Sequence, residues 1–437
     1  MMYPFVSCGK LFEGGRSTQP IGRVLVVTPP VSHHDHSLQP KRPRSLSMAG
    51  SGVARPPRAT PARRGVSARA QQQFSDWTTL RIAHGVSHVA GLGARPSGLQ
   101  APDIDNRAPG RYYIPTSYQE GLFAPKPMEE VRSQFLYVDW DPYSGPRAFF
   151  DAASGSCRPK RVIEAMALET CLPDQQGRAN PGSHHAVEVT EKGIEDLRLF
   201  FGAKSGHIIP GWSSSHVIYR ITDAVLRSVQ GTNVVTTGLD HASVRSAVSQ
   251  FAAMYGKEER VAEPNRETAA VEPDSIYRLV DEDTCFLAII HTSNVTGEVL
   301  DVNNIVREAR RIKPDLFIMV DGVQYSPSGL IDVEDIGADA YVIAPYKNYG
   351  VKGCGYAYAS DRLARLPHWK YTFKPETNWD LGGVEHQSYA AWSEVVDHLC
   401  WLGGHFSVST DRRDLLVAAM SAIKSQPSLQ ATVQEML

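Results

Sequence analysis

Short apolar segments alternate with amphipathic ones from about Phe135 onwards, and this alternation restricts the fold more than any other feature of the chain. The predicted strands are His207–Pro210, Asn233–Thr237, Phe286–His291, Leu316–Asp321 and Ala340–Ala344. The predicted helices are Arg158–Thr170, Ala186–Phe201 and three segments near residues 214–229, 242–255 and 302–312. Strands and helices that alternate at this interval are typical of a mostly parallel sheet covered by helices on both faces. We therefore expect the α/β class.

The first 75 residues differ in composition from the rest of the chain. They contain eleven lysines and arginines but only two acidic residues, Glu13 and Asp35, together with many prolines and serines. No apolar periodicity runs through them, so we expect disorder, and the linker-like composition extends this expectation to residue 128. An Arg-rich, acid-poor start is also typical of an organelle transit peptide, although the prolines oppose its usual amphipathic helix. We expect a cytoplasmic protein with a flexible tail, and a mitochondrial address is the alternative.

The overall charge and the cysteine pattern exclude several classes of protein. The 45 Lys+Arg and 47 Asp+Glu residues give a formal net charge of −2, which does not indicate nucleic-acid or membrane partners. Apolar stretches such as Phe286–Ile290 are far shorter than the roughly 20 residues of a membrane span. The six cysteines form no CxxC pair, which is typical of a reducing compartment and opposes a structural zinc site. We expect a soluble globular protein without a metal.

Polar side chains follow four of the predicted strands. Asp321 ends the strand Leu316–Asp321, Lys347 follows the next strand, and His241 and Asn294 follow two others. Each residue alone has an ordinary explanation as a turn cap or a solvated loop group. Ligands in folds of this class bind beyond the carboxyl ends of the strands. An aspartate, a lysine, a histidine and an asparagine at these ends together predict a functional site.

Pyridoxal phosphate chemistry requires this set of residue types. A lysine amine forms a Schiff base with the aldehyde of the cofactor, and an aspartate keeps the pyridine nitrogen protonated, so that the ring withdraws electrons. An imidazole or aromatic ring stacks on the cofactor. The phosphate binds to hydroxyls and N–H groups at the start of a helix. The segment Gly211–Ser215 supplies such groups immediately before the predicted helix His216–Val229.

Several stretches resemble the class V aminotransferases, most closely their cysteine desulfurase-like branch. The strongest are HTSNVTGEVLDVNNIV, VDGVQYSPSGLIDVEDIGADAYV and PYKNYGVKGCGYAYAS, in which Asp321 and Lys347 lie 26 residues apart. RAFFDAASGSCRPKRVIEAM, TTGLDHASV and WDLGGVEHQSYAAW are similar to the family's opening segment, its histidine loop and the end of its large domain. The resemblance covers roughly Phe135 to Leu402. It implies the large domain of a pyridoxal-phosphate-dependent transferase of the aspartate aminotransferase type (fold type I).

The resemblance also implies a role for each strand-end residue. Lys347 would be the Schiff-base lysine and Asp321 the partner of the pyridine nitrogen. Gln324 would lie near the phenolic oxygen of the cofactor, His241 over its ring and Asn294 near the substrate–cofactor linkage. Family members are usually homodimers with active sites at the subunit interface, which implies a homodimer here.

Ser214 and Ser215 would bind the phosphate, and two nearby positions depart from the family pattern. Ala344 stands where the family has a phosphate-binding serine, and Tyr346 stands where desulfurases commonly have a histidine. Cys354 does not match the position of the desulfurase nucleophile, and we interpret it as a small packed residue. The hydroxyl that is lost at Ala344 predicts weaker phosphate binding, or phosphate binding that relies on the partner subunit.

The chain ends where the family continues into a C-terminal small domain. We therefore expect an N-terminal extension over residues 1–128, a cofactor-binding large domain over 129–402, and the start of a largely missing small domain over 403–437. The predicted function is a pyridoxal-5'-phosphate-dependent enzyme acting on an amino-acid-like substrate by transamination, C–S bond cleavage or racemisation. The alternative is a truncated, non-catalytic remnant or pseudoenzyme that retains only cofactor binding or dimerisation.

Overall fold

The computed structural model describes residues 125–425. Residues 1–124 of the expected N-terminal extension and residues 426–437 of the expected small-domain segment lie outside the described residues. The expected boundary at residue 128 falls within the first described helix, α1 (Pro125–Ser133).

Nine strands lie within residues 125–425. They are β1 (Trp140–Asp141), β2 (Gly145–Pro146), β3 (His207–Gly211), β4 (Asn233–Thr237), β5 (Glu258–Ala262), β6 (Thr284–Ile290), β7 (Phe317–Asp321), β8 (Ala340–Ile343) and β9 (Gly355–Ala359).

Ten further α-helices follow α1 in this part of the chain. They are α2 (Lys160–Thr170), α3 (Pro181–Phe201), α4 (Ser214–Ser228), α5 (Ala242–Tyr255), α6 (Pro273–Tyr277), α7 (Val302–Ile312), α8 (Val333–Ile336), α9 (Asp361–Ala364), α10 (His386–Gly403) and α11 (Arg412–Ser425). No helix of residues 125–425 combines the length and the apolar character needed to cross a membrane.

Strands β3 to β9 form one seven-stranded sheet in the order β3-β9-β8-β7-β6-β4-β5. The neighbours from β5 to β8 pair in parallel, whereas β9 is antiparallel to both β8 and β3. Strand β3 therefore has the same direction as the parallel strands, with its carboxyl end at the same edge. The expected α/β class with a mostly parallel sheet is confirmed.

Four elements differ clearly from the pattern-based expectation. Strands β5 and β9 were not predicted, because β5 (EERVA) is a half-exposed edge strand and β9 (GYAYA) is built of small and aromatic residues. Helix α3 begins at Pro181 instead of Ala186, since the Asn180 side chain accepts a hydrogen bond from the Ser183 N–H and Pro181 occupies the first helical position. Helix α4 begins at Ser214 instead of His216, for the same kind of reason: Ser213 is its N-cap.

The sheet is buried on both faces. Successive residues of β6 alternate between two apolar clusters: Leu287 and Ile289 belong to the cluster that also contains residues of α3, α7, α10 and α11. Phe286 and Ala288 belong to the cluster formed with α4 and α5. Such alternation follows from the two-residue period of a strand. Helices on both faces therefore leave only the sheet ends and connecting loops for a site.

Helix α11 lies within the expected small-domain segment, and it packs against α3 and α10. Leu416, Ala419 and Met420 are buried in the larger apolar cluster. The Arg412 guanidinium contacts the buried carboxylate of Asp196 on α3 and that of Asp397 on α10. The last described helix is thus part of the same packed core as the sheet.

Candidate functional site

The carboxyl ends of β3, β4, β6, β7 and β8 meet at one end of the sheet. The register places Ile290 of β6 beside Asp321 of β7, and Asp321 beside Val342 of β8. Every residue proposed for the site follows one of these strands directly or within a few residues. The topology therefore brings to one edge groups that are more than 130 residues apart in the chain.

Lys347 ends a single 3₁₀ turn, Pro345–Lys347, which follows β8. Its side chain is 7% exposed, and its Nζ donates a hydrogen bond to Gln324 Oε1 at 2.8 Å. Burial lowers the pKa of Lys347 below its ordinary value, and the negative charge of Asp321 opposes this shift. A buried lysine with a lowered pKa has a larger neutral fraction, which is the nucleophilic form of an amine.

Asp321 is the last residue of β7 and is 2% exposed. Its Oδ1 accepts a hydrogen bond from the Val323 N–H at 3.1 Å. Burial raises the pKa of Asp321, while this hydrogen bond and the positive charges of His241 and Lys347 act in the opposite direction. The Asp321 carboxylate thus lies within electrostatic range of His241 and Lys347. Such a place suits a carboxylate that pairs with a charged ring nitrogen.

His241 is the N-cap residue of α5, and its ring is exposed. Its Nδ1 accepts a hydrogen bond from the Ser243 N–H at 3.2 Å and lies 2.8 Å from the Ser243 hydroxyl. An imidazole whose Nδ1 accepts hydrogen bonds carries its proton on Nε2 when neutral. The helix start therefore fixes both the tautomer and the direction of this ring.

Asp240, which was not singled out in the sequence, lies buried beside this histidine. Its Oδ2 accepts a hydrogen bond from the Thr237 N–H at 2.6 Å, while its Oδ1 is buried without a partner among the described residues. Burial, and further the charge of Asp321, raise the pKa of Asp240 to about 7. The available signal was an acidic residue directly before His241 and just after an apolar strand, in TTGLDH.

His291, the residue after β6, is buried and is not one of the charged groups near Asp321 and Lys347. Its ring stacks on Tyr325 with a centroid separation of 3.5 Å, and its Nδ1 lies 2.7 Å from the Tyr341 hydroxyl. Burial lowers the pKa of His291 to about 3, so the ring is neutral at physiological pH. The stacking instead anchors the turn that carries Gln324, the residue before Tyr325.

Asn294 makes no hydrogen bond with these groups. It sits in the exposed loop after His291, between residues joined by the isolated bridge Thr292↔Val299. Its side chain makes no hydrogen bond within residues 125–425, and its place near a substrate–cofactor linkage stays a prediction.

The first turn of α4 forms the second part of the site. Ser213 accepts a hydrogen bond from the His216 N–H at 3.1 Å, and Ser214 and Ser215 are the first two helical residues. Their hydroxyls make no hydrogen bond with other residues of the described part. The first N–H groups of a helix have no acceptor within the helix and attract anions.

Gly355, the first residue of β9, packs directly against this helix start. A Cβ at Gly355 would overlap the backbone of Ser213 and Ser214. The register places Gly355 opposite Gly211 and the next residue, Tyr356, opposite Ile343 at the end of β8. Strand β9 thus connects the start of α4 with β8, the strand that leads to Lys347.

The residues present fit a phosphate-bearing pyridine aldehyde. The amine of Lys347 suits an aldehyde, the Asp321 carboxylate suits a ring nitrogen, and the start of α4 suits a phosphate. Ala344 is buried and lacks a hydroxyl, so it adds no donor at this place. Cys354 is buried, and burial raises the pKa of its thiol to about 12, so it is not poised as a nucleophile.

Comparisons with known proteins identify the family. The profile described as "Aminotransferase class-V" matches residues 148–389. The cysteine desulfurase of Pectobacterium carotovorum subsp. carotovorum (strain PC1) is 27% identical over 252 residues, which are 56% of this chain and 61% of the relative. The cysteine desulfurase of Yersinia pseudotuberculosis serotype O:1b (strain IP 31758) gives the same identity and the same shares. The chain thus spans about three fifths of the length of these curated relatives.

Solved structures of the same kind share the fold. The cysteine desulfurase CsdA of Escherichia coli superposes with a TM-score of 0.52 at 19% identity, covering 65% of this chain and 73% of CsdA. The apo cysteine desulfurase of Thermococcus onnurineus NA1 gives a TM-score of 0.54 at 18% identity, covering 62% and 70% of the two chains. These matches confirm the expected fold type. Since the profile also matches more than half of the residues, and matches them around the motifs that indicated it, the chain belongs to the class V aminotransferase family.

Proposed function

We propose that this protein is a pyridoxal-phosphate-dependent enzyme that acts on an amino-acid-like substrate, with Lys347 as the residue that links the cofactor. One observation carries the proposal. The Lys347 amine is buried at the carboxyl end of the sheet, 2.8 Å from Gln324 and within electrostatic range of Asp321. A buried lysine beside a buried aspartate, at the edge where such sheets bind ligands, is costly unless it serves a ligand.

Different residues of the chain would contact different parts of the cofactor. Asp321 would pair with the pyridine nitrogen, Gln324 would contact the phenolic oxygen, and His241 would cover the ring. Ser214 and Ser215 would hold the phosphate at the start of α4, and Asn294 would approach from its exposed loop. Pyridoxal phosphate, when bound, supplies an aldehyde for the amine and a ring that withdraws electrons from the substrate.

The side chains then supply the proton transfers. The lowered pKa of Lys347 makes its amine a competent base toward a proton on the α-carbon of an amino acid. The buried Asp321 carboxylate, which accepts a hydrogen bond from the Val323 N–H, would stabilise positive charge on the ring nitrogen. The Nε2–H of His241 faces away from Ser243, so it is the ring's free donor toward a ligand.

An amino acid is the substrate class that this machinery favours. The relatives at 26–27% identity are named cysteine desulfurases, which supports a C–S bond cleavage, and the family description supports a transamination. We further propose that the protein forms a homodimer. We also propose that the chain consists of an N-terminal extension, a large domain over residues 129–402 and a following segment.

Trapping the cofactor on its lysine tests the proposal. The purified full chain mixed with pyridoxal phosphate should develop visible absorbance, and borohydride should fix the cofactor on the peptide that contains Lys347. Lys347→Ala should abolish both signals. Lys352→Ala is the matched control, because Lys352 is exposed five residues away, with its Nζ over the Tyr346 ring. Labelling at Lys352 would overturn the assignment, and a folded protein that takes up no label would favour the non-catalytic alternative.

A further inference from the structure

Ser156 bridges the two ends of the tetrapeptide Tyr346–Tyr349 that contains Lys347. The Ser156 hydroxyl donates to the Tyr346 carbonyl at 3.1 Å and accepts from the Tyr349 N–H at 2.7 Å. The Ser156 N–H also donates to the Tyr346 carbonyl at 3.1 Å. Three hydrogen bonds from one residue, 190 positions upstream, therefore close the backbone around Lys347.

The backbone that Ser156 closes is in an unfavourable conformation. Tyr349 has φ of +63°, in the left-handed region that residues other than glycine rarely adopt. The turn is closed on its other side by the Gly350 N–H, which donates to the Pro345 carbonyl at 2.8 Å. Since the preferred conformation of a tyrosine differs, outside contacts must hold the turn in this shape.

The opening segment is shaped to approach this turn closely. Gly155 has φ of +151°, and a Cβ there would lie only 3.3 Å from the Tyr346 ring. The Tyr349 hydroxyl adds a longer hydrogen bond of 3.3 Å to the Pro327 carbonyl, in the loop that follows Gln324. The direction of the Lys347 side chain toward Gln324 thus depends on contacts made from two separate segments.

We propose that Ser156 is a positioning residue that holds the Tyr346–Tyr349 turn, so that the Lys347 amine lies against Gln324 and beside Asp321. Without the hydroxyl, the Tyr349 N–H loses its acceptor and the turn relaxes toward ordinary backbone angles. The amine then moves away from its buried partners. The inference rests on the proposed function only for the identity of the ligand that Lys347 binds.

The test measures Lys347 itself in the cofactor-free full chain. Reductive methylation with formaldehyde, followed by mass spectrometry across a pH series, gives an apparent pKa for Lys347, with Lys352 as the internal reference. Ser156→Ala should raise this pKa toward the ordinary lysine value. It should also weaken pyridoxal phosphate capture about three- to tenfold, the effect of losing one hydrogen bond. Ser156→Thr, which keeps a hydroxyl, should restore both properties.

Ser154→Ala is the matched control. The Ser154 hydroxyl lies in the same segment but donates to the exposed Asp151 carboxylate at 2.8 Å, so both readouts should equal those of the parent chain. Should Ser156→Ala not fold, Ser156→Cys replaces it, because a thiol is a weak hydrogen-bonding group of similar size. An unchanged Lys347 pKa in a folded variant overturns the proposal. Failure of the parent chain to capture pyridoxal phosphate would overturn the proposed function instead, while the methylation readout would still decide the role of Ser156.

Discussion

Two buried carboxylates lie close together behind the exposed ring of His241, and their surroundings differ. Burial raises the pKa of Asp321, but the hydrogen bond from the Val323 N–H and the nearby Lys347 oppose this shift. Asp240 has one hydrogen bond from the Thr237 N–H and one oxygen without a partner among the described residues, and its pKa is raised to about 7. Like charges at short range cannot both be maintained cheaply in a buried site. The two residues are therefore expected to respond differently to substitution.

Replacing Asp321 should separate cofactor capture from chemistry. Asp321→Ala should still allow pyridoxal phosphate to be fixed on Lys347, because the amine remains. It should slow the loss of the α-proton of an amino acid by about 100-fold or more, because the ring nitrogen loses its anionic partner. Asp321→Asn should behave in the same way, since an amide does not stabilise a pyridinium charge. Deuterium exchange at the α-carbon, followed by NMR, measures this rate, and normal exchange in either variant would assign the carboxylate a structural role.

Asp240 should make stability depend on pH in the cofactor-free protein. Its pKa rises from about 3.9 in the unfolded chain to about 7 in the folded protein. Between these two values the folded state binds more protons than the unfolded chain does. The contribution of Asp240 to stability is therefore greatest below about pH 4 and falls as the pH rises toward 7. Asp240→Asn, whose amide oxygen still accepts from Thr237, should remove this decline and stabilise the protein at pH 8 by up to about 4 kcal/mol. Urea unfolding at pH 5 and pH 8 checks the difference, and parallel pH profiles for the two proteins would contradict it.

At the scale of elements, a helix start and a strand start together form the part of the candidate site that we propose binds the phosphate. Helix α4 presents its first N–H groups and the hydroxyls of Ser214 and Ser215. Strand β9 begins beside them with Gly355, and no larger residue fits there without a shift of the backbone. The antiparallel direction of β9 brings its first residue to the end of the sheet where β3 and β8 finish.

Gly355→Ala should therefore weaken phosphate binding selectively. The added methyl group would displace the backbone of Ser213 and Ser214, which moves the N–H groups that face the anion. We expect at least a tenfold loss of affinity for pyridoxal phosphate but little change for pyridoxal, which has no phosphate. Absorbance titration with both compounds measures the two affinities. An equal loss for both would show that the substitution acts through general destabilisation instead.

At the scale of the whole described region, α11 is held to α3 and α10 by charge as well as by apolar packing. Asp196 on α3 is 1% exposed and accepts a hydrogen bond of 2.6 Å from Lys192 Nζ. Its other oxygen contacts Arg412, the first residue of α11, which also contacts Asp397 on α10. Helix α3 thus meets α10 and α11, which follow each other much later in the chain, at one ion-pair network.

Removing the buried carboxylate should cost much more than removing the half-exposed one. Asp196→Ala removes the buried acceptor of two charge-assisted contacts, from Lys192 and Arg412, and we expect the free energy of unfolding to fall by about 3 kcal/mol. Asp397→Ala is the control, because Asp397 is 33% exposed and its loss should cost about 1 kcal/mol or less. Urea denaturation of both variants gives the two values. Similar losses would mean that α11 is held mainly by Leu416 and its apolar neighbours.

By itself the sequence determined the α/β class, the family and the set of groups at the strand ends. Apolar periodicity is a local property, so β4, which matches its predicted bounds, and β7 and β8, whose ends differ by a single residue, were visible in it. The motifs and their spacing identified Asp321, Gln324 and Lys347 as candidate site residues. The roles of these residues toward a cofactor stay predictions. The sequence places Asn294 in the loop after β6, and its role stays a prediction because a motif does not give the direction of a loop side chain.

Tertiary structure alone decided which groups are buried and which distant segments meet. The raised pKa of Asp240 depends on surroundings assembled from several strands, and no local pattern encodes burial of a single carboxylate. The small and aromatic residues of β9 indicate a strand only once β3 and β8 pair with it. The contact of Ser156 with the Lys347 turn joins segments 190 residues apart, and such contacts form only when the packed core brings the segments together.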